Sequence, residues 1–220
     1  MRHSLSLFFI LVMANMDASA QSEFRMDGIP DVLVWNIAPE SWTYEQKALT
    51  IKAAAKTDMF LDPQNEYAVV NSPLALFTPA STFMLSSKVK VDFKSDYDAG
   101  VLVLYAGKNK WAKLCFEYSP QKKPTLVSVV SNGVSDDANH GEVGKNEVYL
   151  RISRLGSSVF AFHYSMDGKQ WRLLRYFRLE SNDAVRTGFS SQSPTGNSCV
   201  SVFSEIFYSS TKLKNIRSGE

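Results

Sequence analysis

One stretch, residues 98–118, constrains the fold of this chain more than any other. Its sequence, DAGVLVLYAGKNKWAKLCFEY, has two apolar runs on either side of a short turn that contains Gly107, Lys108 and Asn109. This pattern is typical of a β-hairpin. Residues of the second arm alternate between a face suited to a protein core and a face with chemically versatile side chains. We therefore expect the second face to hold the best candidate site.

The remainder of the chain from Asp31 consists of short β-rich segments between turn residues, with little sustained helical periodicity. A second hairpin is predicted over residues 147–165, across the turn Leu155-Gly156-Ser157. Residues 60–71, with a proline, and the polar residues 133–144 are predicted to be loops. About a dozen short strands without crossover helices predict an all-β fold in which two antiparallel sheets pack face to face.

The first twenty residues have the pattern of an export signal. Arg2 and His3 give a basic start, an apolar run follows over residues 5–14, and Ala18-Ser19-Ala20 supplies a cleavage site. We expect residues 1–20 to be a signal peptide that is cleaved after Ala20, which gives a secreted or periplasmic protein. The expected domain boundaries are an N-terminal extension at 21–30, one β-domain at 31–208 and a basic tail at 209–220 that frays.

Composition excludes several classes of function. The net charge of +2 provides no basic excess for nucleic acid as the main partner, and no other apolar run is long enough to span a membrane. Cys115 and Cys199 can pair in an oxidising compartment, but two buried thiols are the favoured interpretation. No CxxC or His-rich pattern is present, so no cofactor is expected. The acidic pairs Asp96/Asp98 and Asp136/Asp137 alone fall short of the six to eight oxygens that calcium takes, so calcium binding there stays a minor alternative.

The candidate ligand-binding residues lie on the faces of the two hairpins that are not needed for the core. Trp111 is a possible stacking surface, although a tryptophan at a strand start also packs over a sheet edge. Arg151 is the expected partner of Glu117, whereas the alternative is a solvated ladder of charges that also includes Lys113. His163 is a candidate base, but a lone histidine on a polar face is commonly just exposed.

Five fragments carry a resemblance to a known family: TDMF (57–60), AGVLVLY (99–105), WAKLCFEY (111–118), SVVSNGVSD (128–136) and SMDGKQW (165–171). In this order they resemble the DUF1349 family, which is similar to concanavalin A-like lectins and glucanases and to the C-terminal accessory domain of some xylosidases. The resemblance implies a jelly-roll sandwich and a carbohydrate partner. Asp58 and Asp136 lie inside these fragments, where they either hydrogen-bond sugar hydroxyls or stabilise turns.

Three functional hypotheses follow. The leading one is an exported lectin-like protein that binds carbohydrate on its concave sheet face. The second is a glycoside hydrolase that uses Glu117 with a remote acid such as Asp136 or Asp58, although the Glu-x-Asp-x-Glu triplet of glucanases is absent. The third is an interaction module without a small ligand, which is favoured if the concave face is filled by the protein's own loops.

Overall fold

The computed structural model describes residues 23–220, so the predicted signal peptide lies outside the described residues. The described part contains seventeen strands and no helix. The strands are β1 (Glu23–Phe24), β2 (Leu33–Ile37), β3 (Ser41–Glu45), β4 (Ala48–Ala54), β5 (Met59–Leu61), β6 (Ala68–Val70), β7 (Leu74–Phe77), β8 (Phe83–Val91), β9 (Ala99–Tyr105), β10 (Lys110–Tyr118), β11 (Pro124–Asn132), β12 (Ser135–Glu142), β13 (Glu147–Gly156), β14 (Val159–Ser165), β15 (Arg172–Arg178), β16 (Arg186–Gln192) and β17 (Ser198–Ser209).

Two large antiparallel sheets form the body of the molecule. We call the first sheet A, with strand order β1-β2-β7-β16-β9-β10-β11-β12, and the second sheet B, with order β15-β14-β13-β8-β17-β4-β3. A separate hairpin pairs β5 with β6. The prediction of an all-β, two-sheet sandwich is confirmed. No helix in the described residues is long and apolar enough to cross a membrane.

Alternation along β10 builds the fold in the way that the sequence predicts. β9 and β10 form the expected hairpin, in which Tyr105 lies opposite Trp111. Ala112, Leu114 and Phe116 are fully buried in the cluster between the two sheets. Because successive side chains on a strand point to opposite faces, the intervening residues are directed away from sheet B. The second predicted hairpin, β13–β14, is also present, and it lies in sheet B.

Two segments that were predicted to be loops are strands. Residues 60–71 contain most of the β5–β6 hairpin, whose Met59 and Leu61 are buried against the outer face of sheet A. Residues 133–144 contain β12, the edge strand of sheet A, which pairs with β11 despite its polar side chains. Both predictions were wrong because backbone pairing and tertiary burial, rather than local composition, decide strand formation at these places.

The basic tail also differs from expectation. Leu213 is buried with Leu155 and Ala161 against sheet B, and the tail therefore does not fray. Its backbone accepts hydrogen bonds from two sheet B side chains, Arg151 to the Gly219 carbonyl and His163 to the Ile216 carbonyl. An apolar anchor and satisfied carbonyl groups together hold the segment on the sheet.

The two cysteines are buried, unpaired thiols, as the favoured interpretation predicts. Cys199 lies in the cluster between the sheets, whereas Cys115 lies in the separate cluster on the outer face of sheet A. Burial raises the pKa of the Cys199 thiol to about 12 and also raises that of Cys115. Both thiols therefore act as small apolar groups in the packing.

Candidate functional site

A groove of about 930 Å³ lies on the outer face of sheet A, the face turned away from sheet B. Its floor is formed by β10 and β11, and its sides are formed by the β5–β6 hairpin, the edge strand β12 and the loops before β9 and after β16. Its lining includes Lys56, Asp58, Phe60, Tyr67, Tyr97, Lys113, Glu117, Thr125, Asp137, His140, Glu142 and Gln192. The groove is therefore built on the strand face that the sequence singles out.

Only part of that face is open, because the β5–β6 hairpin covers the rest. Trp111 is fully buried in the cluster that contains Met59 and Leu61, and its Nε1 donates to the Lys108 carbonyl at 3.1 Å. A ring without exposed surface cannot stack on a ligand. The expectation of a stacking role for Trp111 is therefore wrong, and the residue packs the hairpin onto the sheet.

Lys113 is the buried cation of the groove. Its side chain is 3% exposed, and its Nζ donates to Asp58 Oδ1 at 3.0 Å and to Gln192 Oε1 at 2.9 Å. Burial is the largest single effect on the pKa of this amine and lowers it, but the charge of Asp58, the hydrogen bond to Asp58 and the other acidic groups nearby together outweigh burial and hold the pKa above its ordinary value. Lys113 is thus a permanent ammonium, and Asp58 is its counter-ion.

Glu117 lies on the same face of β10 in a different environment. It is 8% exposed, and within the described residues its carboxyl group makes no hydrogen bond or ion pair. Burial raises the pKa of Glu117 to about 8, and the charges of Asp58 and Asp137 act in the same direction, whereas Lys113 opposes them. At neutral pH the group is therefore mostly a protonated carboxylic acid, which offers one donor and one acceptor.

The acidic residue that β12 contributes to the groove is Asp137 rather than Asp136. Asp136 lies opposite Val130, a residue of the core between the sheets, and its carboxylate pairs with Arg175 of sheet B at 2.7 Å. Asp137 lies opposite Val129 and lines the groove. The prediction of Asp136 as a ligand-binding residue is therefore wrong, because residues 133–144 were expected to form a loop, in which side chains do not alternate between two faces.

Arg151 and His163 are not neighbours of Glu117. They lie opposite each other on β13 and β14 of sheet B, on the face covered by the C-terminal segment. The Arg151 guanidinium stacks 3.6 Å from the ring centre of Trp171, and His163 is fully buried beneath Ile216 and Gly219. Burial and the charge of Arg151 lower the pKa of His163. The expected pairing of Arg151 with Glu117 is wrong because the polar faces of the two sheets point in opposite directions.

Aromatic surface in the groove comes from residues that sequence reasoning missed. Tyr67 is 53% exposed and stacks on Phe60 at 5.7 Å between ring centres, and Tyr97 is 40% exposed. Tyr97 has φ of 69°, a left-handed conformation that costs free energy in a residue with a side chain. Its carbonyl accepts from Gln192 Nε2 at 3.1 Å, and its amide donates to the Tyr118 carbonyl at 2.7 Å. The sequence contains one signal for these two residues, since Tyr67 and Tyr97 are aromatic residues within otherwise polar turns.

The groove contains no metal-ligand set. Within residues 23–220 no group of three or more His, Cys, Asp or Glu side chains is arranged to hold a metal ion. In the acidic pair Asp96/Asp98, the first carboxylate pairs with Lys122, and the second accepts from the amides of Lys94 and Ser95 and from the Ser193 hydroxyl. These carboxylates therefore stabilise the loop before β9.

The raised pKa of Glu117 predicts how the stability of the protein depends on pH. An unfolded glutamate has its ordinary pKa near 4.5, so between pH 4.5 and about 8 the folded state holds a proton that the unfolded state has lost. The stabilisation of the folded state by this bound proton is fully present below pH 4.5 and is lost as the pH rises through about 8. Glu117→Gln should remove this loss, so that the variant exceeds the wild type in free energy of unfolding by on the order of a few kcal/mol at pH 9.

Denaturant titrations at pH 5, 7 and 9 measure this difference. Glu45→Gln, an exposed glutamate at the end of β3, serves as the matched control and should leave the pH profile unchanged. Equal profiles for the wild type and Glu117→Gln would mean that Glu117 ionises normally.

Solved structures with a similar fold include a functionally unknown protein from Saccharomyces cerevisiae, with a TM-score of 0.74 and 23% identity over 81% of this chain and 96% of that one. The GH43 protein BlXynB from Bacillus licheniformis matches with a TM-score of 0.62 and 15% identity, over 82% of this chain and 37% of its own. A xylan β-1,4-xylosidase from Bacillus halodurans matches with a TM-score of 0.63 and 13% identity, over 76% of this chain and 34% of its own.

These similarities establish a shared sandwich fold. This chain spans only about a third of the length of BlXynB and about a third of the length of the xylosidase. No curated protein matches the chain. The family model described as a protein of unknown function, DUF1349, matches residues 35–211. Because the match covers most of the sequence, including both hairpins and the whole floor of the groove, this chain belongs to the DUF1349 family.

Proposed function

We propose that this protein binds a carbohydrate in the groove on the outer face of sheet A. The observation that carries the proposal is a groove with a buried polar floor and exposed aromatic rings: the buried Lys113 and Glu117 line the same groove as the exposed Tyr67 and Tyr97. Sugars present hydroxyl groups at their edges and C–H groups on their ring faces, so they need both kinds of surface. The similar fold of proteins named as xylosidases supports the same class of ligand.

The floor supplies hydrogen-bonding groups that the protein itself does not use. An ammonium has three donors, and two of those on Lys113 are engaged with Asp58 and Gln192. The Glu117 carboxyl group has no partner among the described residues and faces the groove. One donor from Lys113 and a donor with an acceptor from Glu117 match the two adjacent hydroxyls of a sugar ring.

A glycan array followed by calorimetry with the neutral oligosaccharides that bind tests the proposal. Tyr67→Ala and Tyr97→Ala should each weaken binding by about tenfold, the amount expected for loss of one aromatic contact. Tyr176→Ala removes an equally exposed tyrosine from sheet B and should have no effect. Absence of glycan binding by the wild type at millimolar concentration would contradict the proposal and would favour an interaction module without a small ligand.

A second candidate function is glycoside cleavage, which one observation favours. Glu117 on β10 and Glu142 on β12 both lie opposite Thr125 of the strand between them. Strands are about 4.8 Å apart, so roughly 10 Å separates the two backbones. Side chains that lean together can reach the separation of about 6.5–9.5 Å that inverting glycosidases use. Glu142 thereby replaces the expected partners Asp58 and Asp136, which are held by Lys113 and Arg175.

In such a reaction the protonated Glu117 gives its proton to the leaving oxygen, and Glu142 accepts a proton from the attacking water. Release of reducing ends from the oligosaccharides that bind measures this activity. Glu117→Gln and Glu142→Gln should each lower the rate by at least about 100-fold. A wild type that binds these oligosaccharides for days without releasing reducing ends has no such activity.

We further propose that the protein is exported and that its mature chain begins at Gln21, on the strength of the basic start, the apolar run and the Ala18-Ser19-Ala20 motif. Expression of the full chain with its own N-terminus, followed by N-terminal sequencing of the exported fraction, should give a sequence that starts QSEFR. Retention of the intact chain inside the cell would contradict export.

A further inference from the structure

The charges around the groove are unbalanced, and this limits which carbohydrates it can take. Among the lining residues, Lys113 and Asp58 neutralise each other at 3.0 Å. The remaining groups are one cation, Lys56, and the three carboxyl groups of Glu117, Asp137 and Glu142. His140 also lines the groove, and burial lowers the pKa of its ring, which therefore stays uncharged at neutral pH. Acidic groups thus outnumber the free cations.

The positions of these groups add to the charge imbalance of the groove. Glu117 is buried in the floor and is mostly protonated at neutral pH, so it brings no charge there, but a negative charge placed beside it would be screened by little water. Lys56 is exposed at the rim, where its attraction for a ligand is weakened by water and salt. A carboxylate on a bound sugar would lose its hydration and would approach Asp137 and Glu142 of β12, and the buried cation Lys113 is already neutralised by Asp58.

We propose that the groove selects glycans built from uncharged sugars and rejects glycans that carry uronic acids. This inference rests on the proposed carbohydrate-binding function and specifies the class of ligand. The geometric basis is the buried Glu117 carboxyl group, which lacks a partner among the described residues and faces the groove. Uncharged hydroxyls can both accept from and donate to a protonated carboxyl group, whereas the carboxylate of a uronate can only accept.

Binding should therefore weaken when Glu117 ionises in alkaline solution. The titratable or charged side chains that act on this carboxyl or line the groove with it come from several parts of the fold, and ionisation of Glu117 would change the net charge of the lining from −1 to −2. These side chains are Lys113 and Cys115 on β10, Lys56 and Asp58 before β5, Tyr67 between β5 and β6, Asp137, His140 and Glu142 on β12, and Tyr97 before β9. Lys113 is a permanent cation, so it does not offset the change.

The test uses pairs of probes that differ only in charge. Oligogalacturonate and its carboxyl-reduced form, and alginate oligosaccharides and their carboxyl-reduced forms, are compared on one array with neutral oligosaccharides of other backbones. At pH 6, bound glycans should be neutral, and the uronate member of any pair that binds should be at least tenfold weaker. Binding of a neutral glycan should fall about fivefold or more between pH 6 and pH 9, and Glu117→Gln should abolish this fall.

A charge reversal provides the matched control. Asp137→Lys should raise binding of the uronate member of a pair relative to its neutral form. Asp136→Lys makes the same change one residue earlier, on the side of β12 that faces Arg175 and sheet B, and should leave the ratio unchanged. Both aspartates are exposed, and because Asp136→Lys removes the ion pair with Arg175, thermal unfolding is measured for both variants to check that each is folded.

The outcomes distinguish a failure of the selectivity for uncharged glycans from a failure of carbohydrate binding itself. Preference for uronates, or equal binding of both members of a pair, would overturn the inference while leaving carbohydrate binding intact. A pH dependence that persists in Glu117→Gln would overturn the role of this carboxyl group. Failure of every glycan to bind would overturn the proposed function and the inference with it.

Discussion

The buried ammonium of Lys113 is the interaction on which the groove depends. A charge removed from water is stable only when it is paired and hydrogen-bonded, and Asp58 and Gln192 provide those contacts. These two partners come from distant parts of the chain, one just before β5 and the other at the end of β16. The single lysine therefore ties the covering hairpin and the centre of sheet A to the same point.

The contacts of these partners extend the network to the sides of the groove. Asn71 closes the β5–β6 hairpin through two hydrogen bonds to Asp58. Its side-chain oxygen accepts from the backbone N–H of Asp58 at 2.8 Å, and its backbone N–H donates to the Asp58 carbonyl at 2.9 Å. Gln192 donates to the carbonyl of Tyr97, which keeps its left-handed backbone at the opposite side. Aromatic side chains on both sides are thus positioned by the same polar cluster in the floor.

Burial separates the roles of two acidic residues that look alike in the sequence. Asp58 has an ammonium partner and acts as a counter-ion, whereas Glu117 has no partner among the described residues and retains its proton near neutral pH. The difference arises from tertiary contacts, since locally Asp58 simply precedes a β-strand and Glu117 occupies one. In the same way, adjacent aspartates on β12 have different surroundings, because alternation directs Asp136 towards sheet B and Asp137 into the groove.

Alternation along β10 and β13–β14 determined the all-β class, both hairpins and the strand face on which the groove lies, because side-chain direction in a strand is a local property of the backbone. Family membership was also readable in the residues themselves, through five ordered fragments. The tertiary structure alone decided which polar faces come together. It assigned Arg151 and His163 to the opposite sheet, buried Trp111 beneath a hairpin and brought Tyr67, Tyr97, Asp137 and Gln192 to Lys113 and Glu117. These placements depend on pairing between segments far apart in the chain, for which local patterns carry no information.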